Sequence, residues 1–89
     1  MAKPGLVFSS ELIRAARALL RWEQRDLAVA SSVSLPTIKR LESKPGTMVA
    51  HMSTVVALRR ALEAAGVEFI DENGGGPGVR LRKRQQKKG

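Results

Sequence analysis

Apolar residues near the start of the chain follow the period of a helix. Four apolar residues at helical spacing would share one face and so predict a first helix: Leu12, Ala16, Leu19 and Leu20. Ser9 or Ser10 can cap its start, and a cap at Ser9 would pair Phe8 with Ile13 as a hydrophobic staple. We expect this helix to end near Arg21.

Two shorter helices separated by a turn are predicted next. We expect a second helix over residues 24–30, a turn at residues 31–33 and a third helix over residues 35–43. Ser34 suits the N-cap of the third helix. Pro36 lies in its first turn, where a backbone N–H has no helical partner to lose.

A fourth helix follows a loop at residues 44–47. Ser53 is its expected start, although residues 48–52 could join it, and we expect it to reach Ala65. Gly66 then supplies the glycine that commonly follows a helix C-terminus. The inward face of this helix is predicted from three apolar residues: Val55, Leu58 and Leu62.

Beyond the fourth helix the apolar period becomes alternating. This pattern indicates strands at residues 67–71 and 79–81, joined by a glycine-rich turn at residues 72–78. The predicted fold is mainly α, with four helices, a C-terminal β-hairpin and a basic tail. The expected organisation is a leader at residues 1–8, a helical domain at 9–66, the hairpin at 67–81 and the tail at 82–89.

Length and composition narrow the class of protein. The chain has 89 residues, enough for one small domain, and it has no cysteine for a disulfide framework or a thiolate zinc site. The apolar stretch at residues 6–8 is too short for a signal-peptide core. No apolar run approaches the roughly 18 residues of a membrane span. We therefore expect a cytoplasmic protein without a membrane partner.

Catalytic and metal chemistry has few residues to use. The chain contains one His and no Cys, and we find no Ser–His–Asp, Cys–His or paired-carboxylate arrangement. His51 has no partner at the spacing of a metal site. We expect no enzyme activity, no cofactor, no metal and no small-molecule ligand.

Positive charge is concentrated at the C-terminus. The chain carries 16 Lys and Arg against 8 Asp and Glu. Six of these cations and no acid fall in residues 79–89, so the remaining body carries ten cations and eight acids. Basic tails of this kind bind polyanions, with nucleic acid as the first expectation and anionic membrane as the second. A solubilising tail is the alternative.

The central stretch at residues 24–42 combines two short helices with a tight turn. Ala28 is small where two helices must approach closely, and Val33 plugs the turn. Ile38 and Leu41 anchor the second of the two helices. These are the physical requirements of a helix-turn-helix, which holds the start of its second helix outward for the major groove of DNA.

The same region resembles the Xre-type, lambda-repressor-like helix-turn-helix regulators. The resemblance covers roughly residues 11–65 and rests on Arg17, on residues 22–28 and on residues 33–42. A looser similarity continues to Phe69. The resemblance implies the four-helix fold of that family and a sequence-specific transcription regulator that binds double-stranded DNA as a homodimer.

The resemblance also implies roles for individual residues. Gln24 matches a contact to the DNA backbone, Ser34 matches a cap whose hydroxyl meets a phosphate, and Arg17 and Glu42 match an internal ion pair. The base edges would face Leu35, Pro36 and Arg40. The expected DNA contacts are Gln24, Arg25, Ser34, Leu35, Pro36, Thr37, Lys39, Arg40 and Lys44. The tail would add Arg82, Lys83, Arg84, Lys87 and Lys88.

Four residues depart from the family pattern. Glu23 stands where the family often has Ser or Asn as a cap, and it can still cap weakly at the positive end of the second helix. Ser32 stands in the turn where Gly is usual, and it fits less well if that position requires a positive φ. Leu35 and Pro36 cannot hydrogen-bond base edges, although Leu35 could pack on a thymine methyl group. Readout by hydrogen bonds would then depend on Arg40 and Lys39, with DNA shape contributing.

Two other functions and two dimer surfaces stay open. The protein could be an antitoxin that binds DNA and masks a toxin, or a protein-interaction module that no longer reads DNA. We expect the hairpin to form the main dimer contact because a two-stranded sheet leaves open edges. The face of the fourth helix around Val56 is the competing surface. The hairpin residues expected in the contact are Val67, Phe69, Ile70, Val79 and Leu81.

Overall fold

The structure is a computed structural model that describes residues 8–46, 50–71 and 74–82. Within these ranges the chain forms four helices followed by an antiparallel hairpin, so the mainly α fold with a C-terminal hairpin is confirmed. Residues 1–7 of the predicted leader and residues 83–89 of the tail lie outside the described residues. Phe8, which the prediction assigned to the leader, is instead buried in the core. The elements are α1 (Ser10–Leu20), α2 (Gln24–Ser31), α3 (Leu35–Ser43), α4 (Met52–Ala64), β1 (Val67–Ile70) and β2 (Gly78–Leu81).

The first helix begins as the capping pattern predicts. The Ser9 hydroxyl accepts a hydrogen bond from the Leu12 N–H at 3.1 Å. This cap brings Phe8 and Ile13 into the same buried cluster. Leu19 departs from the predicted apolar face, because it is 39% exposed while the other three members of that face turn towards the core.

The second and third helices meet at a tight turn. Helix α2 ends at Ser31, one residue later than predicted, and Ser32 follows it with a left-handed φ of 63°. The turn therefore does require a positive φ, and Ser occupies it in place of Gly. Val33 packs against the core, and the Ser34 hydroxyl caps α3 by accepting from the Thr37 N–H at 3.3 Å.

Helix α4 closes the helical part of the fold. It begins at Met52, one residue before the predicted start, and Gly66 follows it with a φ of 114°. That backbone conformation favours glycine, as the sequence indicates. The three predicted inward residues of α4 are all buried.

One apolar core joins all four helices to the hairpin. Its fully buried side chains come from all four helices and from β1, so the packing of one element depends on the others. The residues without exposed surface include Ile13, Leu27, Ile38, Leu58, Leu62 and Val67.

The hairpin packs against the helices through one face. Its strands are antiparallel, with Val67 opposite Leu81 and Phe69 opposite Val79. The Phe69 ring meets the Phe8 ring edge-on with centroids 5.3 Å apart. Because β1 contacts α4 and β2 contacts α1, the hairpin covers one end of the helical core.

This packing corrects the expected hairpin interface. Val67 has no exposed surface, so its side chain cannot contact a partner subunit. Phe69 and Val79 also pack against the core of their own subunit. Of the five expected dimer residues, only Ile70 at 38% and Leu81 at 49% keep substantial exposure.

No helix in the described ranges is long and apolar enough to cross a membrane.

Candidate nucleic-acid interface

Helix α3 carries five of the nine DNA contacts that the sequence predicts outside the basic tail. Pro36, Lys39 and Arg40 are exposed, while Leu35 and Thr37 are half-buried. The opposite side of the same helix is buried in the core. Helix α3 therefore packs one side against the core and presents a partly apolar, partly cationic surface to solvent on the other.

The start of α3 is organised by a local hydrogen-bond pair. The Ser34 hydroxyl accepts from the Thr37 N–H and donates to the Thr37 hydroxyl at 2.9 Å. Both groups lie at the positive end of the α3 dipole, where an anion is favoured. The predicted cap is confirmed, and the Ser34 hydroxyl proton is directed to Thr37 in this arrangement.

The start of α2 lies beside the start of α3. A surface hollow of about 220 Å³ is lined by Gln24 and Arg25 from α2 and by Leu35 and Lys39 from α3, with Glu23 at its edge. The fold thus brings together four predicted contact residues that are separated along the chain. The carboxylate of Asp26, which accepts from the Glu23 N–H at 2.8 Å, supports the turn into α2.

The predicted ion pair between Arg17 and Glu42 is confirmed. Arg17 donates from Nε to Glu42 Oε2 at 2.8 Å and from Nη2 to Oε1 at 2.6 Å. The Glu42 side chain is only 3% exposed. Arg17 also donates to the Trp22 carbonyl at 2.9 Å, so one guanidinium joins α1, α3 and the chain entering α2.

Gln24 has a role that the sequence did not reveal. Its Nε2 donates to Glu42 Oε1 at 3.1 Å, which ties the start of α2 to the buried carboxylate. Gln24 is half-buried, so the expected DNA-backbone contact and this internal bond share one side chain. The effect is to fix the orientation of Gln24 beside α3 in the absence of any ligand.

Arg14 is a second residue that sequence reasoning missed. Its Nη1 donates to the Glu42 carbonyl at 3.0 Å, near the C-terminal end of α3. Carbonyls at this end of a helix lack partners within the helix, and a cation is favoured there. No local pattern identifies this pair because the two residues lie on different helices.

The loop after α3 is fastened to the start of α1. The Glu11 carboxylate accepts from the Gly46 N–H at 3.1 Å, and the Ser10 N–H donates to the Gly46 carbonyl at 3.1 Å. The backbone N–H groups of Glu11 itself and of Gly46 hold the pKa of the Glu11 carboxyl below its ordinary value. This fastening restrains the loop that carries the exposed Lys44.

A second hollow separates α3 from the start of α4. It measures about 400 Å³ and is lined by Thr37, Arg40, Ala50, His51 and Thr54. His51 is exposed and occupies the N-cap position of α4. Arg40 thus projects where the surfaces of two helices meet.

Arg82 departs from its expected place in the basic tail. Its N–H donates to the Gly66 carbonyl at 2.7 Å, and its Nη2 donates to the Glu63 carbonyl at 2.9 Å. Arg82 therefore continues the hairpin and satisfies a carbonyl at the C-terminal end of α4. The other four tail cations lie outside the described residues.

The described residues form no cluster of side chains that could hold a metal ion. No group of three or more His, Cys, Asp or Glu side chains converges there. The chemistry of the outward α3 surface is hydrogen bonding, positive charge and apolar contact.

Comparison with known proteins adds no assignment. The chain matches no model of a known protein family, and no curated protein matches it in sequence.

Proposed function

We propose that this protein is a sequence-specific regulator that binds double-stranded DNA, with the lambda-repressor-like fold and with α3 in the major groove. The observation that carries the proposal is the exposed cationic side of α3, held rigidly by the core behind it. The apposed starts of α2 and α3 and the tight turn between them support it. They are the arrangement that a helix-turn-helix requires.

Shape and charge agree with this mode of binding. An α-helix with its side chains is about 10–12 Å across and the major groove is about 12 Å wide, so α3 can enter it. Arg40 would donate two hydrogen bonds to guanine, which is the commonest specific contact in such grooves. Leu35 would pack on a thymine methyl, and Lys39 would bind a base or a phosphate.

The surrounding residues would position the protein on the DNA backbone. Gln24, Arg25 and Ser34 lie around the start of α3, and Lys44 lies on the loop that follows it. Contacts of this kind fix register and orientation but carry no sequence information. Their share of the affinity falls steeply with salt because each neutralised phosphate releases counterions.

The experiment selects a preferred site from random DNA and compares it with a scrambled site. Arg40→Ala should weaken binding to the selected site by roughly 5- to 150-fold more than to scrambled DNA, since a good base contact carries about 1–3 kcal/mol of discrimination. Arg80→Ala, which removes an exposed arginine from the hairpin, is the matched control and should leave this ratio unchanged.

Two results would overturn the proposal. Equal losses on both DNAs would reassign Arg40 to the phosphates. A wild-type protein without salt-dependent DNA binding would instead favour a protein-interaction module, for which the apolar pair Leu35 and Pro36 would be the contact surface.

A further inference from the structure

Helix α3 lies between two surface hollows. The hollow on one side joins α3 to the start of α2, and it is lined by Gln24 and Arg25, which are proposed to bind the DNA backbone. The hollow on the other side measures about 400 Å³ and joins α3 to the start of α4. The proposed DNA contacts include no residue of α4, so this second flank of α3 has no assigned role.

With α3 in the major groove, both flanks would meet the DNA backbone. A helix with its side chains is about 10–12 Å across and the groove is about 12 Å wide, so α3 would fill the groove from wall to wall. The elements on either side of α3 then meet the sugar–phosphate strands that form these walls. The start of α2 would meet one strand, and the start of α4 would meet the other.

His51 is the residue of α4 that is best placed for such a contact. It lines the larger hollow together with Arg40 of α3 and Thr54 of α4. It is exposed, and although it stands at the N-cap position, its side chain does not cap the helix. The imidazole is therefore not committed to holding the start of α4.

The charge that faces His51 across the hollow is positive. Arg40 is the other charged group among the described residues that line the hollow, and the rest of its lining is uncharged. Residues 47–49, which precede this segment, include no charged residue in the sequence. A protonated His51 and Arg40 would repel each other in the free protein, whereas an anion in the hollow would attract both.

We propose that His51 binds a DNA phosphate when its imidazole is protonated, so that the protein binds DNA more tightly as pH falls. Histidine is the side chain whose charge ordinarily changes between pH 5 and 8, and His51 is the only histidine in the chain. An imidazolium donates a charge-assisted hydrogen bond to phosphate, which is stronger than the bond from neutral imidazole. Because linkage is reciprocal, DNA binding then takes up protons. The inference rests on the proposed DNA binding and adds a pH response to it.

DNA affinity measured at about pH 5.5 and about pH 8 tests this contact. Wild-type affinity should be roughly two- to fivefold higher at the lower pH. The gain should be equal on the selected site and on scrambled DNA, because phosphate contacts carry no sequence information. The slope of log affinity against log salt should steepen by roughly 0.9 at the lower pH, since one more phosphate is neutralised.

Two substitutions of His51 form a matched pair. His51→Gln stays neutral, so it should bind like wild type at about pH 8 and gain nothing in acid. His51→Lys stays charged at both pH values, so it should bind at about pH 8 as tightly as wild type binds in acid. Arg80→Ala, on the hairpin, should keep the wild-type pH response. Circular dichroism melting checks that each variant is folded.

A calorimetric measurement on the wild type needs no variant. Binding to DNA at about pH 6.5, in two buffers with different ionisation enthalpies, should show the uptake of part of a proton. No proton uptake would overturn the inference even if the His51 variants failed to fold.

The binding outcomes separate this inference from the proposed function. DNA binding that is intact but independent of pH overturns the inference and leaves the proposed function standing. A pH response that His51→Gln retains belongs to another group and also overturns it. A gain confined to the selected site would make His51 a base contact instead of a phosphate contact. Absence of DNA binding at both pH values would overturn the proposed function and this inference together.

Discussion

The buried ion pair between Arg17 and Glu42 provides a stringent test of how this fold is stabilised. Arg17→Ala removes three of the hydrogen bonds described above and leaves the Glu42 carboxylate with Gln24 alone, at 3.1 Å. The Glu42 side chain is 3% exposed, so water cannot readily replace the lost partner. Leaving a buried charge unpaired costs about 3–5 kcal/mol.

This loss is large compared with the stability of a small domain. Domains are typically stable by about 5–15 kcal/mol, and at this size each kcal/mol shifts Tm by about 4–8 °C. We therefore expect Arg17→Ala to lower Tm by at least about 12 °C. Thermal and urea unfolding followed by circular dichroism would measure the change.

Two further variants give the measurement its reference points. Replacing both partners, with Arg17→Met and Glu42→Leu together, removes the lone charge and should retain far more stability than Arg17→Ala. Arg80→Ala breaks an exposed ion pair and should cost far less stability than Arg17→Ala. The reasoning is refuted if Arg17→Ala is no more destabilising than Arg80→Ala. Unchanged stability with lost DNA affinity would make Arg17 a surface contact.

Three other predictions address the turn, the loop and the tail. Ser32→Gly should stabilise the fold by up to about 1 kcal/mol and raise Tm, because glycine adopts a left-handed φ without strain. A lower Tm would contradict this prediction and would show that the Ser32 side chain stabilises the fold. The pKa of Glu11 is lowered on folding, so its contribution is present above about pH 4.3 and is lost as pH falls through the lower folded value. Glu11→Gln should therefore be less stable than wild type at pH 7, and this difference should shrink in acid. A difference independent of pH would show that it does not come from the hydrogen bonds of the ionised carboxylate to the backbone N–H groups of Glu11 and Gly46. Removing residues 83–89 should reduce the salt slope of DNA binding by about one unit for each lost phosphate contact, and an unchanged slope would show that these residues do not contact DNA.

Features that depend on a few neighbouring residues were predictable from the sequence. The caps at Ser9 and Ser34 and the glycine after α4 follow from interactions within one helical turn. The positive φ at Ser32 was raised only as a condition, through the Gly that is usual in the turn of the resembling family. The ion pair between Arg17 and Glu42 lies across the fold and was predicted only through the resemblance to a family. The order of four helices followed by a hairpin was predicted because the spacing of apolar residues changes from a helical period to alternation after the fourth helix.

Tertiary packing decided the features whose partners lie far along the chain. Gln24 bonds to Glu42, and Arg82 bonds to a carbonyl of α4, and no local pattern distinguishes these partners from water or DNA. An alternating strand pattern shows that Val67 faces one side of the hairpin, but the helices that occupy that side decide whether it meets its own core or another subunit. Val67 is buried within its own subunit because β1 packs against both α4 and α1.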